Sequence, residues 1–166
     1  MRRLLAIALF VASASAHADE VVLAPEKFLQ DTFDGHPPAA EMLWLDNATQ
    51  AQLRPIFGHD YPAARVKYWR APDRVVWILE DIGKEFPITA GFIVKDGAID
   101  SARLLIYRET RGDEIRNPGF LRQLWGERLK DGELSQGVDG ISGATLSVTA
   151  MQRMARAALV LSSDLR

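Results

Sequence analysis

Apolar residues run almost unbroken through Val75-Val76-Trp77-Ile78-Leu79 and residues 86–94, and recur through residues 98–108 around Asp100, Ser101 and Arg103. β-Branched and aromatic side chains dominate these runs, which reads as a series of strands. A shorter extended candidate, Tyr68-Trp69-Arg70, precedes them. Pro87 falls early in its run, where a strand start tolerates the missing N–H. Lys95-Asp96-Gly97 is a tight-turn signal, so the chain folds straight back and consecutive strands are antiparallel. Simple alternation puts Leu104 and Ile106 on one face of the last strand, Leu105 and Tyr107 on the other. Both sets are apolar, which predicts a sheet covered on both sides.

Helical spacing appears on either side of these runs. Pro25 opens a helix carrying Phe28, Leu29 and Phe33, which stops in Asp34-Gly35-His36-Pro37-Pro38. Asp46 or Asn47 caps a second helix that buries Leu53, Ile56 and Phe57 and ends at Gly58, with Pro55 kinking or breaking it. Asn117 and Pro118 start a third, burying Phe120, Leu121 and Leu124, and a charged loop over 127–133 follows. In the last helix, over about 146–161, Leu146, Ala150, Met154, Ala158 and Leu161 recur on one face. The predicted fold class is α+β: a single antiparallel β-sheet flanked by helices, with a helical N-terminal preface over 19–65.

The first 18 residues change the picture of where the protein works. Arg2 and Arg3, the short apolar core from Leu4 to Val11, and the small-residue sites Ala14-Ser15-Ala16 and Ala16-His17-Ala18 read as a signal peptide over 1–18. Its apolar stretch is too short for a membrane anchor, and no later stretch is long enough to span a bilayer. The expected mature protein is exported, soluble and periplasmic, with no membrane span of its own.

Composition narrows the chemistry. The chain has 166 residues, 48% hydrophobic and 25% charged, with a net charge of −2. This is a globular profile that argues against nucleic acid as a partner. There is no cysteine and there are three histidines. Thiolate metal sites, iron–sulfur clusters and catalytic thiols are therefore excluded, and no metal site is expected. Tyr68, Trp69 and Trp77 could stack on a planar ligand but read more naturally as core, and His36 and His59 as surface residues.

One segment carries candidate chemistry: Gly137-Val138-Asp139-Gly140-Ile141-Ser142-Gly143-Ala144-Thr145-Leu146-Ser147. Gly140 and Gly143 permit close approach by a ligand, and Ala144 keeps that approach open. Thr145 offers a hydroxyl in the first turn of the last helix, where backbone N–H groups and the helix dipole favour an anion such as a phosphate. The same residue types also fit an ordinary helix start, with Ser142 or Thr145 as N-cap and Asp139 closing a turn.

Asp139-Gly140-Ile141-Ser142-Gly143-Ala144-Thr145 resembles the flavinylation motif of the FMN-binding domain family. That family includes the covalently flavinylated subunits of sodium-translocating NADH:quinone oxidoreductases and Rnf-type complexes. The resemblance, which covers about 77–160, implies an FMN-binding domain over 66–162 with FMN joined through its phosphate to Thr145 by a flavin transferase. It also implies that Asp139, Ser142, Gly143 and Ala144 take the other motif places. Glu109-Thr110-Arg111-Gly112 is similar to the family's loop near the flavin, although many members have Pro-Gly where this chain has Arg111-Gly112. Glu109, Thr110 and Arg111 are accordingly candidate cofactor contacts, with the Arg111 charge expected to raise the flavin potential.

The implied function is electron transfer, the redox chemistry being the cofactor's own. An exported carrier of this kind would relay electrons between a membrane-bound oxidoreductase and an extracytoplasmic acceptor. The alternatives are a flavin-dependent reductase of a small substrate, for which no acid/base constellation is visible, and a non-redox periplasmic adaptor module.

Overall fold

The computed structural model describes residues 19–165, so the predicted signal segment over 1–18 lies outside the described residues. In chain order the elements are β1 (Glu20–Val21), α1 (Pro25–Thr32), β2 (Glu41–Trp44), α2 (Asn47–Phe57), β3 (Arg65–Ala71), β4 (Arg74–Ile82), β5 (Pro87–Lys95) and β6 (Ala98–Tyr107). A 3-10 turn at Asp113–Arg116, α3 (Pro118–Gln123), the short strands β7 (Leu129–Lys130) and β8 (Glu133–Leu134), and α4 (Thr145–Asp164) complete the chain.

The architecture is α+β. A six-stranded antiparallel sheet in the order β1-β6-β5-β4-β3-β2 is flanked by helices, and β7 and β8 form a separate small hairpin. The preface contributes the two edge strands as well as α1 and α2. β1 pairs with β6, and β2 lies along β3 with Trp44 opposite Arg65. Strands of two and four residues at a sheet edge are too short to show a period of their own. Asp96 and Gly97, both at positive φ, make the expected β5–β6 turn. α2 runs on through Pro55 as one element, capped by Asp46 and ended by Gly58 at positive φ.

Apolar cover lies on both faces of the sheet. On the inner face α4 crosses β4, β5 and β6 and packs against α2. Trp77, Phe92, Leu104, Met151 and Met154 are buried there, and the Trp77 indole N–H donates to the Ser162 hydroxyl at 2.8 Å. Trp77 and Tyr68 are thus core residues. On the outer face Phe28 of α1 covers Val76, Ile93 and Leu105. A Cβ on Gly91 would stand 2.4 Å from the Phe28 ring, so the ring fills the space a side chain in β5 would occupy.

Two expected facings change. The β5–β6 register passes from Thr89↔Ile106 to Ala90↔Leu104, leaving Leu105 as the extra residue of a bulge. Leu104 and Tyr107 therefore share the inner face, while Leu105 and Ile106 belong to the outer one. Strict alternation had placed Tyr107 with Leu105. Leu146 is 50% exposed rather than core-facing, while Ala150, Met154, Ala158 and Leu161 are buried.

Candidate functional site

The longest helix starts without a side-chain cap, as does α1, where Pro25 takes the first turn. The Asp46 carboxylate accepts from the Thr49 amide at 2.8 Å at the start of α2. Asn117 Oδ1 accepts from the Gly119 amide at 2.7 Å at the start of α3. α4, 20 residues long, has Ala144 in the N-cap position and no side-chain cap. Neither Ser142 nor Thr145 takes that role, so the reading of this segment as an ordinary capped start does not hold. Thr145 is exposed at the first helical position. The first-turn amides and the positive end of the helix dipole remain available to an anion.

A cleft of about 620 Å³ opens at this end, within the usual size of a ligand pocket. Three segments line it: Lys84 of the β4–β5 turn, Glu109 to Arg111 after β6, and Gly143 to Ser147. The Glu109 carboxylate joins the first two segments. Its Oε1 accepts from the amides of Glu85 at 2.7 Å and Phe86 at 3.0 Å, and from that of Lys84. Partial burial pushes the Glu109 pKa up, but these three amides outweigh it and hold the carboxyl below its ordinary value. Both cations of the cleft, Lys84 and Arg111, are exposed to solvent. Lys84 and Glu85 form an exposed pair at 3.5 Å, and the Lys84 charge also helps to lower the Glu109 pKa. Arg111 is exposed at the mouth.

The bulge in β6 brings Tyr107 beneath this loop. Its hydroxyl donates to the Arg111 carbonyl and lies 3.2 Å from Ser147 Oγ on α4. Burial raises the Tyr107 pKa against the Ser147 hydrogen bond, which keeps the phenol a donor. Gly112, at φ +90, lies against both side chains. The loop at Arg111 and the first turn of α4 are therefore clamped together from below.

The cleft thus gathers Glu109, Thr110, Arg111, Gly143, Ala144 and Thr145, and adds Lys84, Leu146 and Ser147. Asp139 and Ser142 do not line it. Asp139 lines a neighbouring hollow with Gln123, Glu127 and Gln136, and Ser142 is exposed. Lys84 carries no sequence signal beyond following Gly83 in a turn. Glu127 is the larger surprise: it falls in the stretch expected to be a charged loop and is 0% exposed. Its Oε2 accepts from the Ser135 hydroxyl at 2.9 Å and the Gln136 amide at 3.0 Å. Among the described residues no group of three or more His, Asp or Glu is placed to hold a metal ion. His36 and His59 are exposed.

The residues present fit a phosphorylated planar cofactor: an open helix start and two cations for the phosphate, and the exposed Leu146 side chain for an apolar ring. Comparison with known proteins agrees. Residues 83–160 match the family model of the FMN-binding domain, and every residue of the cleft falls within that span. No curated protein and no solved structure matches the chain. Among the described residues no helix is long and apolar enough to cross a membrane.

Proposed function

With an FMN-binding domain over residues 83–160 as the premise, we propose that the chain is an exported electron-transfer flavoprotein carrying FMN esterified through its phosphate to Thr145. The observation that carries this reading is the uncapped start of α4, where an exposed Thr145 shares one cleft with Lys84 and Arg111. The first-turn amides and these two side chains would hold the phosphate, and Leu146 would lie against the ring. When bound, FMN supplies redox chemistry that joins one-electron to two-electron partners.

The chain's own residues supply attachment and orientation. Glu109 ties the β4–β5 turn to the end of β6, and Tyr107 with Ser147 holds the Arg111 loop on α4. The cleft walls are thereby fixed before the cofactor arrives, which limits the ordering cost of binding. A covalent link would prevent cofactor loss in the periplasm, where no cytoplasmic pool refills the site. The partners proposed are a flavin transferase for maturation, and a membrane-bound oxidoreductase and an extracytoplasmic acceptor for electron exchange.

Co-expression with a flavin transferase tests the reading. The expected product is yellow, remains fluorescent after denaturing electrophoresis, and gains the mass of FMN less one water. Thr145→Ala should abolish the label and shift stability by no more than about 1 kcal/mol, since the side chain is exposed and caps nothing. An unlabelled wild-type protein under these conditions would overturn the covalent assignment.

A further inference from the structure

Resting on Thr145 as the attachment point, we propose that Glu127 is a positioning residue, which holds the segment entering the motif in the shape that a flavin transferase recognises. The transfer it serves forms a bond between Thr145 Oγ and the flavin-side phosphorus of a flavin dinucleotide. The phosphoanhydride bond breaks, a nucleoside monophosphate leaves, and the hydroxyl proton passes to a base of the transferase.

Residues 135–139 form no helix or strand, yet side chains hold them at successive points. Glu127 Oε2 takes the Ser135 hydroxyl and the Gln136 amide. Gln123 Oε1 accepts from the Asp139 amide at 2.8 Å, and Gln152 Nε2 donates to the Val138 carbonyl at 3.2 Å. Glu127 is itself anchored through its backbone, its carbonyl accepting from the Ile99 amide at 2.9 Å at the start of β6. Val138 and Ile141 pack on the main core. The motif is therefore an arch pinned at both ends, with Asp139, Gly140, Ser142, Gly143 and Thr145 exposed on its crown.

Burying a carboxylate is costly, and no cation lies within salt-bridge distance of Glu127 among the described residues. Its hydrogen bonds instead order an exposed loop, and an ordered loop loses less entropy when an enzyme grips it. Glu127 does not line the cleft that contains Thr145. Its loss should weaken recognition of the acceptor protein and leave FMN binding alone. Glu127 Oε1 has no hydrogen-bond partner. In Glu127→Gln the amide oxygen can take the place of Oε2 and keep both acceptor contacts, so recognition should be retained, while the amide nitrogen, buried without an acceptor, lowers stability.

The test compares wild type, Glu127→Ala and Glu127→Gln as substrates of a flavin transferase, alongside free-FMN binding to each unmodified protein. Glu127→Ala should raise KM for the acceptor protein about tenfold. Its kcat and its Kd for free FMN should each stay within about twofold, and Glu127→Gln should restore KM. Unchanged KM in a folded Glu127→Ala protein, or a loss of FMN affinity as large as the rise in KM, would overturn the proposal. Should Glu127→Ala fail to fold, Gln123→Ala decides by the same readings, because it frees the Asp139 amide from the same arch. A wild-type protein that accepts no FMN would instead count against the attachment at Thr145 itself.

Discussion

Gly112 and Ser147 meet so closely that a Cβ on Gly112 would stand 2.6 Å from the Ser147 hydroxyl oxygen. The same atom would be 3.0 Å from the Tyr107 hydroxyl, and Gly112 has φ +90. Gly112→Ala therefore meets both a strained backbone and a blocked space. We expect a loss of about 1–3 kcal/mol in chemical denaturation, together with weaker FMN binding, because the displaced loop carries Arg111. A variant as stable as wild type would show that the clamp yields freely.

Arg111 and Lys84 place positive charge beside the proposed ring and phosphate. Arg111→Ala should lower the flavin midpoint potential by an amount on the order of tens of millivolts, as expected for removing one charge near a partly solvated ring. Spectroelectrochemical titration of the labelled protein measures this, and an unchanged potential removes Arg111 from the account. Lys84→Gln should weaken free-FMN binding and flatten its dependence on salt.

Glu109 gives the site a pH dependence of known sign. Its folded pKa lies below the ordinary value of 4.5. Its stabilising contribution is therefore complete above that value and is lost as pH falls through the depressed folded one. The amides of Lys84, Glu85 and Phe86 lose a charged acceptor over the same window. Stability and FMN affinity should fall together in acid, and Glu109→Gln should flatten both profiles, as read by denaturation and binding titrations between pH 6 and about pH 3.

Phe28 acts on the opposite face of the sheet. Phe28→Ala should cost about 3–5 kcal/mol, since the ring is 3% exposed and closes the outer-face cluster over Gly91. Flavinylation of the folded fraction should proceed at the wild-type rate. A slowed reaction would show that the outer-face packing reaches through the sheet to the cleft.

Residues whose side chains act locally were the legible ones. Long strands of β-branched residues, Asp46 and Asn117 at helix starts, and the Asp96-Gly97 turn state their roles within a few positions. The place of Thr145 in the first turn of α4 was legible because the signals of a helix start lie in consecutive residues. Tyr107 was misplaced because a bulge, set by how two strands slide past one another, inverts the facing of every later residue. Glu127 was misread because its burial depends on the loop at 135–139 folding over it, eight or more residues downstream. Lys84 enters the site only because β4, β5 and β6 bring their ends together.

The matched span begins at Gly83, just past the end of β4, yet the sheet does not end there. β4 pairs with β5 along its whole length, from Val75↔Val94 to Ile82↔Pro87. A fragment cut to the matched residues would keep the cleft lining but strip β5 of its neighbour. It would expose a long apolar ladder of unpaired amides and carbonyls, ready to recruit another chain. The smallest folding unit should therefore be larger than the matched span, and attempts to dissect the protein should leave the first four strands in place.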